Sequence, residues 1–211
     1  MNYPDDFVDY TKPLPVENLN ETALKDIDTL TANSYEIHIG ITPDFADDIA
    51  AMSLEPAIKE YCPKDCADRF KDREATKLWL SKKRAAFLLL KKADTGELSL
   101  AGYGWSGASS SRYVPQGKTT FAIRIGQAGQ GQGLATPFAR LIVFGSAVLF
   151  GAGDFWLETW QSNAGAVHVY HKIGFEDVDQ QTDQRITSAG GRVPDVRLYM
   201  SLPNEALPKT S

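Results

Sequence analysis

The sequence predicts one domain of the mixed α/β class. Three observations lead to this fold class: strand and helix patterns alternate along the chain, a glycine-rich segment at residues 126–135 joins a strand to a helix, and another strand follows that helix. Hydrophobic residues make up 43% and charged residues 23% of the 211 residues, as in an ordinary globular domain. A chain of this length is short for two independently stable domains.

The first 33 residues differ from the rest of the chain. They mix Pro, Asn, Asp and Thr with scattered apolar positions, which is typical of a segment without a strong strand or helix pattern. We therefore expect residues 1–33 to form an arm that packs on the domain without forming its centre. The domain is predicted to span residues 34–205.

The first regular elements follow this arm. Residues 34–42 alternate apolar with polar or small side chains, and this period of two indicates a half-buried strand. Pro43 then begins a helical pattern that runs to residue 61, with aspartates in its first turns where the helix dipole favours negative charge. A second helix is expected over residues 65–83.

Two apolar segments predict an antiparallel hairpin. They cover residues 86–91 and 98–105, and the turn between them, residues 93–97, contains the Asp-x-Gly pattern that suits a tight connection. A segment rich in Ser and Gly at residues 107–118 follows and is expected to be a surface loop.

The middle of the chain predicts a βαβ crossover. A strand at residues 119–125 leads through the glycine-rich segment to a helix at 133–150, and a strand at 155–160 follows. The most apolar run, residues 141–153, is too short for the roughly 20 residues of a membrane-spanning helix and is expected to be a buried helix. The last predicted elements are a helix at residues 164–172 and strands at 175–178 and 197–202.

The charge balance and the N-terminal residues bear on partners and location. The chain has 22 basic and 27 acidic residues, a net charge of −5, which argues against a nucleic-acid partner. Its N-terminus is acidic and lacks the basic and apolar regions of a secretory signal. We expect a cytoplasmic protein without a membrane partner, either a monomer or a homodimer.

The two cysteines, Cys62 and Cys66, are predicted to be ordinary reduced thiols, with a local disulfide or a redox role as the alternatives. The chain has no second pair of cysteines that would complete a four-ligand zinc site. His168 and His171 share a helix face, but no third ligand is in view, so no metal is expected.

The glycine-rich segment is the strongest functional signal. Four glycines between a strand and a helix let backbone N–H groups approach a phosphate at a helix N-terminus. A Walker A loop needs Lys and Ser or Thr after its last glycine, where Leu134 and Ala135 stand. A Rossmann fingerprint needs a third glycine where Leu134 stands. The simplest alternative is a flexible surface loop.

One further pattern fits the segment. Gln130, Gly133 and Ala135 form Gln-x-x-Gly-x-Ala, which resembles the pyrophosphate loop of GNAT acetyltransferases, Gln/Arg-x-x-Gly-x-Gly/Ala. The sequence between Leu157 and Phe175 continues the resemblance, because a Glu strand, Ser-Asn, Ala, Tyr and Gly-Phe follow in the order found in the branch that acetylates protein N-termini. The resemblance covers about residues 119–176, and residues 34–105 have a compatible order of elements.

The chain departs from that family pattern at two places. It lacks the proline that often follows the strand, and Pro137 stands one turn into the helix. Proline is tolerated there because N–H groups of the first turn have no helical partner.

The resemblance implies a fold and a co-substrate. The fold is a mixed, mostly antiparallel sheet flanked by helices and splayed at the acetyl-CoA site, between the strands that carry Ile123 and Glu158. Acetyl-CoA would pair its pantetheine amides with the first of these strands and its pyrophosphate with the loop amides. The residues implied to bind it are Ile123, Arg124, Ile125, Gln130, Gly131, Gln132, Gly133, Leu134, Ala135, Thr136 and Asn163.

The resemblance also implies the catalytic residues. Acetyl transfer needs a group to remove the proton of the amine and a donor to the departing thiolate. Tyr170 occupies the position of the proton donor and Glu158 that of the base. The alternatives are a packing role for Tyr170, and a solvent-facing or backbone-binding Glu158 with a water chain in its place. Asn163 is expected to cap the helix that follows it as well as to contact CoA.

We therefore expect an N-acetyltransferase whose acceptor is a primary amine, either a small molecule or an amino group of a protein or peptide. The alternative is a non-catalytic acyl-CoA-binding or regulatory module. A protein N-terminus, a lysine, a polyamine, an amino acid and an aminoglycoside all remain open as acceptors. The segments expected to shape the acceptor pocket are the first two helices and residues 107–118 and 180–193.

Overall fold

The structure, a computed structural model, describes residues 11–82, 84–108, 113–203, 205 and 207. The strands are β1 (Thr11–Pro13), β2 (Tyr35–Gly40), β3 (Arg84–Lys92), β4 (Leu98–Ala108), β5 (Thr119–Ile125), β6 (Phe155–Trp160), β7 (Glu176–Ile186) and β8 (Arg192–Leu202). The helices are α1 (Glu21–Ala32), α2 (Pro43–Ser53), α3 (Pro56–Tyr61), α4 (Arg73–Leu80), α5 (Ala135–Phe150) and α6 (Ala164–Lys172).

The strands form one sheet in the order β1-β2-β3-β4-β5-β6-β8-β7. Neighbouring strands are antiparallel except β5 and β6, which are parallel because the crossover helix α5 joins them. This mixed, mostly antiparallel sheet flanked by helices confirms the predicted fold class.

Helices cover both faces of the sheet, and the alternation along β3 shows this directly. Phe87 and Leu89 belong to the core cluster that includes α1, α5 and α6, whereas Leu88 and Leu90 belong to the cluster that includes α2 and α4. Helix α5 is buried along most of its length and ends at Gly151, whose φ of 61° provides a left-handed cap. The apolar run predicted at residues 141–153 is thus a buried helix as far as Phe150, and residues 151–153 lie beyond its end. No helix in the described part of the chain is long and apolar enough to cross a membrane.

Residues before Ser34 contain two elements that the sequence did not predict. Strand β1 forms the edge of the sheet beside β2, and α1 packs on α5. The Asn20 side chain caps α1 by accepting from Ala23 N–H at 2.9 Å, and Leu30 is 1% exposed. Residues 1–10 lie outside the described residues.

The two predicted helices of the first half are corrected. The helix expected over residues 43–61 breaks into α2 and α3 because Pro56 removes a helical N–H donor and restricts the residue before it. The helix expected over 65–83 begins as a single π-helical turn, Asp65–Arg69, and continues as α4 only from Arg73. Residue 83 itself is not among the described residues.

The last hairpin is longer than predicted. Strand β7 extends to residue 186 and β8 begins at residue 192, so the segment 180–193 is mostly paired strand rather than loop. The sequence did not predict the full length of β7, because most of this edge strand is exposed and polar and has no apolar alternation. Of the loop predicted at 107–118, residues 109–112 lie outside the described part, and Gly107 and Ala108 end β4.

Candidate active site

The sheet opens between β5 and β6. The two strands pair only at Thr119 with Phe155 and at Thr120 with Trp156, and they diverge beyond these pairs. The carbonyl oxygens of Ala122 and Arg124 point toward β4, because a Cβ atom built on Gly104 or Gly102 would lie 2.6 or 2.7 Å from them. Since successive carbonyls of a strand point in opposite directions, those of Ile123 and Ile125 face the opening.

Side chains of the protein itself contact these two carbonyls. Arg124 Nη1 donates to the Ile123 oxygen at 2.9 Å, and Gln130 Nε2 donates to the Ile125 oxygen at 3.1 Å. Beyond Thr120 the backbone of β5 is not paired with β6, so the opening has a peptide-like edge that a ligand amide can pair with. A carbonyl oxygen has two lone pairs and can accept from a ligand as well as from a side chain.

The glycine loop connects this edge to α5. It turns through a short 3-10 helix, Gln127–Gly129, and Gly131 and Gly133 both have a φ of 75°, where residues with a Cβ are strained. A Cβ at either position would meet no heavy atom within 4 Å, so the backbone there is uncovered.

The N-terminus of α5 follows directly. The side chain of its N-cap residue, Leu134, forms no capping hydrogen bond. The first backbone N–H groups of the helix therefore have no partner in that side chain. The positive end of the helix dipole adds to their affinity for an anion. The amides of residues 131–136 therefore suit a phosphate group.

Three hydrogen bonds fix the loop in place. The Gln132 side chain accepts from the Tyr35 hydroxyl at 2.9 Å and donates to the Ala128 carbonyl at 2.7 Å. At the start of the loop, Glu55 Oε2 accepts from the backbone N–H of Gln127 at 2.6 Å. The loop is thus tied to β2 and to the segment before α3.

Tyr170 lies on one side of the opening, on the α5 and α6 face of the sheet. Its ring is 8% exposed and packs edge-to-face on Phe121 of β5, with ring centroids 5.7 Å apart. Burial raises the pKa of Tyr170 to about 12, and the positive charge of Arg124 opposes that rise. The phenol is therefore protonated at neutral pH, as a proton donor must be.

Glu158 lies on the other face of β6, because it alternates with the core residues Phe155 and Leu157. Its carboxylate does not stand alone: Oε2 is 3.4 Å from Nη1 of Arg197. A second carboxylate, that of Asp183, is 3.3 Å from Nη2 of the same guanidinium. Arg197 and Asp183 stand far from Glu158 in the chain, so no local sequence pattern points to this pairing.

Arg197 sits in an aromatic setting. Its guanidinium carbon lies 4.0 Å from the centroid of the Trp160 ring and 4.4 Å from that of Tyr113. Tyr199, paired with Glu158 across the strands, packs near Tyr113 with ring centroids 6.0 Å apart. The surroundings of Glu158 therefore combine carboxylates with aromatic rings.

A buried ion triad is the second feature that the sequence did not reveal. Asp65, which is 0% exposed, accepts from Arg124 Nε at 2.7 Å and from Arg69 Nη1 at 3.1 Å. Burial alone would lower the pKa of Arg124, but Asp65, Cys62 and Tyr103 outweigh it and raise that pKa. Arg124 is thus a permanent cation beside the opening.

Four other residues singled out in the sequence have ordinary surroundings. Asn163 is the N-cap residue of α6, but its side chain makes no capping hydrogen bond, which corrects the predicted cap contact. His171 is paired with Asp177 at 3.0 Å on the surface. Cys62 and Cys66 are free thiols, and burial raises the pKa of Cys62 to about 11. In the part of the chain that the structure describes, no group of His, Cys, Asp and Glu side chains is arranged to hold a metal ion.

Comparison with known families agrees with this geometry. Residues 40–176 match the acetyltransferase (GNAT) domain family, which is more than half of the chain. The protein therefore belongs to the GNAT acetyltransferases, whose co-substrate is acetyl-CoA. The narrower branch that acetylates protein N-termini stays a prediction.

Solved structures show the same fold at low sequence identity. Spermidine N-acetyltransferase from Vibrio cholerae, in complex with CoA and spermine, superposes with a TM-score of 0.62 at 18% identity, covering 81% of this chain and 97% of that one. YncA from Salmonella typhimurium, with its cofactor acetyl-CoA, gives 0.61 at 16% identity over 85% and 100%.

Ribosomal-protein-S5-alanine acetyltransferase from Vibrio fischeri gives a TM-score of 0.63 at 15% identity, covering 82% of this chain and 94% of that one. No curated protein sequence matches the chain significantly.

Proposed function

We propose that this protein is an N-acetyltransferase that moves the acetyl group of acetyl-CoA to a primary amine. The observation that carries the proposal is the open edge of β5, where the carbonyls of Ile123 and Ile125 face the gap to β6. The amides of residues 131–136 at the start of α5 lie at the end of the same strand. A ligand that has peptide-like amides followed by a pyrophosphate fits this order of backbone groups, first the strand edge and then the loop amides.

The residues of the edge and the loop would hold the two parts of acetyl-CoA. The backbone of Ile123–Arg124–Ile125 would pair with the pantetheine amides, as adjacent strands pair. The amides from Gly131 to Thr136 would bind the pyrophosphate, helped by the dipole of α5. Gln130 and Gln132 support this arrangement through their contacts with the strand and the loop.

Tyr170 and Glu158 would divide the proton transfers. The amine nitrogen bonds to the acetyl carbon, the carbon–sulfur bond breaks, and its electron pair goes to the sulfur. Tyr170 would give its proton to that sulfur, because its raised pKa keeps the phenol protonated. Glu158, whose carboxylate lies 3.4 Å from Arg197, would accept the proton of the amine directly or through a water molecule.

The surroundings of Glu158 support an amine as the acceptor. The carboxylates of Glu158 and Asp183 and the rings of Tyr113 and Trp160 all contact one cation, the Arg197 guanidinium, so these surroundings favour positive charge. Two neighbours in fold act, by their names, on spermidine and on the alanine of ribosomal protein S5. Polyamines and peptides with a free N-terminus are therefore the first acceptors to test.

The test is CoA thiol release by the purified chain with acetyl-CoA and a panel of acceptors. The panel contains spermidine, spermine, free amino acids, a lysine peptide with a blocked N-terminus, and peptides with free N-termini. We expect turnover with at least one amine. Binding of acetyl-CoA by calorimetry without turnover on any amine would favour the acyl-CoA-binding module, and no binding would refute the proposal.

A further inference from the structure

The triad of Arg69, Asp65 and Arg124 carries a net positive charge. Two cations share one carboxylate, so the triad has a net charge of +1. Asp65 is completely buried and the Arg124 side chain is 12% exposed, so solvent screens the charge only weakly at Arg124. Within the described residues, Asp65 is the one carboxylate that contacts Arg124. An unbalanced buried cation favours a nearby anion.

The position of Arg124 connects this charge to the opening. Its guanidinium reaches around its own strand to the Ile123 carbonyl, 2.9 Å away, on the edge that faces β6. Its charge also acts on the Tyr170 phenol, whose pKa it lowers against the effect of burial. Arg124 therefore lies at the open edge, and its charge acts on the proposed proton donor, which lies on the opposite face of the sheet.

Helical geometry holds the triad in place. Asp65 and Arg69 stand at the two ends of the π-helical turn, a rare conformation often found at functional sites. Arg69 also lies over the Trp79 ring, with its guanidinium carbon 4.7 Å from the centroid. The turn thus presents a buried carboxylate to β5, and that carboxylate aims Arg124 at the strand edge.

We propose that Arg124 supplies the positive charge that stabilises the CoA thiolate as it leaves the acetyl group. The inference rests on the proposed acetyl transfer, in which the electron pair of the carbon–sulfur bond goes to the sulfur. Tyr170 delivers the proton to that sulfur, and Arg124 stabilises the negative charge before the proton arrives. The titratable and charged groups around Arg124 are Cys62, Asp65, Arg69, Tyr103 and Tyr170.

The thiol of bound CoA gives a direct readout. With CoA that carries an isotope label on the carbon beside the sulfur, the chemical shift of that carbon follows ionisation of the thiol as pH is raised. We expect the thiol pKa of bound CoA to lie below that of free CoA. In Arg124→Gln it should rise by about 1 unit relative to the wild type, and kcat should fall about tenfold. The Kd of desulfo-CoA, which lacks the thiol, should change little.

Two further variants separate charge from structure. Arg124→Lys keeps the charge and should retain most of the thiol shift. Arg140→Gln is the matched control, because Arg140 pairs with the partly buried Asp26 at 2.9 Å on the other face of the sheet, between α1 and α5. It should lower the melting temperature and leave the thiol pKa unchanged.

The outcomes are distinct. An equal thiol pKa in the wild type and in folded Arg124→Gln would overturn the inference while leaving acetyl transfer intact. No binding of CoA by the wild type would remove the proposed function and the inference with it. If Arg124→Gln does not fold, Arg69→Gln provides the test, because it removes the other cation of the triad at a side chain that is 27% exposed. It should raise the thiol pKa by less than a unit, and no change would overturn the inference.

Discussion

The assignment of the glycine loop can be tested with one substitution, Gly133→Glu. Gly133 has a φ of 75°, and the space around its Cβ direction is open, so the new side chain enters the region proposed for the pyrophosphate. The left-handed backbone costs a residue with a Cβ about 1–2 kcal/mol of stability. The core is not touched, so the variant is expected to fold with a lowered melting temperature.

The loss of affinity follows from Coulomb's law. A carboxylate about 5 Å from one phosphate charge loses about 3 kcal/mol at an effective dielectric constant of about 20. That energy corresponds to about a 10²-fold to 10³-fold rise in the Kd of acetyl-CoA. Calorimetry on the folded variant measures it, and raising the salt concentration should recover part of the loss because the repulsion is screened.

Gly190→Glu is the matched control. Gly190 has a φ of 82°, open space around its Cβ direction and a place in the turn between β7 and β8. It therefore carries the same strain and the same added charge outside the glycine loop, and the Kd of acetyl-CoA should stay at the wild-type value. An unchanged Kd in folded Gly133→Glu would refute the phosphate site in this loop.

Three other substitutions test the remaining groups. Tyr170→Phe keeps the ring packed on Phe121 and removes the proton donor. The kcat should therefore fall about 10²-fold to 10⁴-fold at saturating acceptor, with little change in CoA affinity. Wild-type turnover in this variant would leave Tyr170 with only a packing role. Glu158→Gln should lower the rate near neutral pH and recover as pH approaches the pKa of the acceptor amine; an unchanged pH–rate profile would remove Glu158 from the mechanism. The Ser188 backbone N–H and hydroxyl, with Arg185, lower the pKa of Glu60 from 4.5 to about 2, so its carboxylate stabilises the fold above pH 4.5 and that stabilisation is lost as pH falls toward 2. Glu60→Gln should flatten that acid dependence of the unfolding free energy, and an equally steep dependence in the variant would contradict the assignment.

The elements predicted best are those whose signal lies within a few neighbouring residues. The strand β5, the glycine loop and α5 follow one another directly, and each has a local pattern: alternation, glycines that allow a positive φ, and a long apolar helix. The parallel pairing of β5 with β6 follows from that order because a crossover helix joins them.

The elements predicted worst have weak local patterns. Helix α1 lies in a mixed polar segment and is held by its Asn20 cap and by packing on α5. Strands β7 and β8 are each eleven residues long and pair along most of that length, but most of β7 is exposed and lacks alternation. The break between α2 and α3 had a visible signal in Pro56, which marks the start of α3.

From its residues alone, the chain indicates the fold class, the glycine loop, and the strand and helix that carry Glu158 and Tyr170. Local geometry depends on adjacent residues, so periodicity and glycine spacing are sufficient to predict these elements. The charge partners arise from folding: Asp65 meets Arg124 across 59 residues, and Tyr35 meets Gln132 across 97. Two further contacts likewise depend on how strands and turns are brought together: the ion pair of Glu158 with Arg197 and the hydrogen bond from Arg124 to the Ile123 carbonyl. A local sequence pattern does not show such contacts, because they join residues that are far apart in the chain. Bringing these residues together costs loop-closure entropy, which the packing of the whole sheet and its two cores compensates.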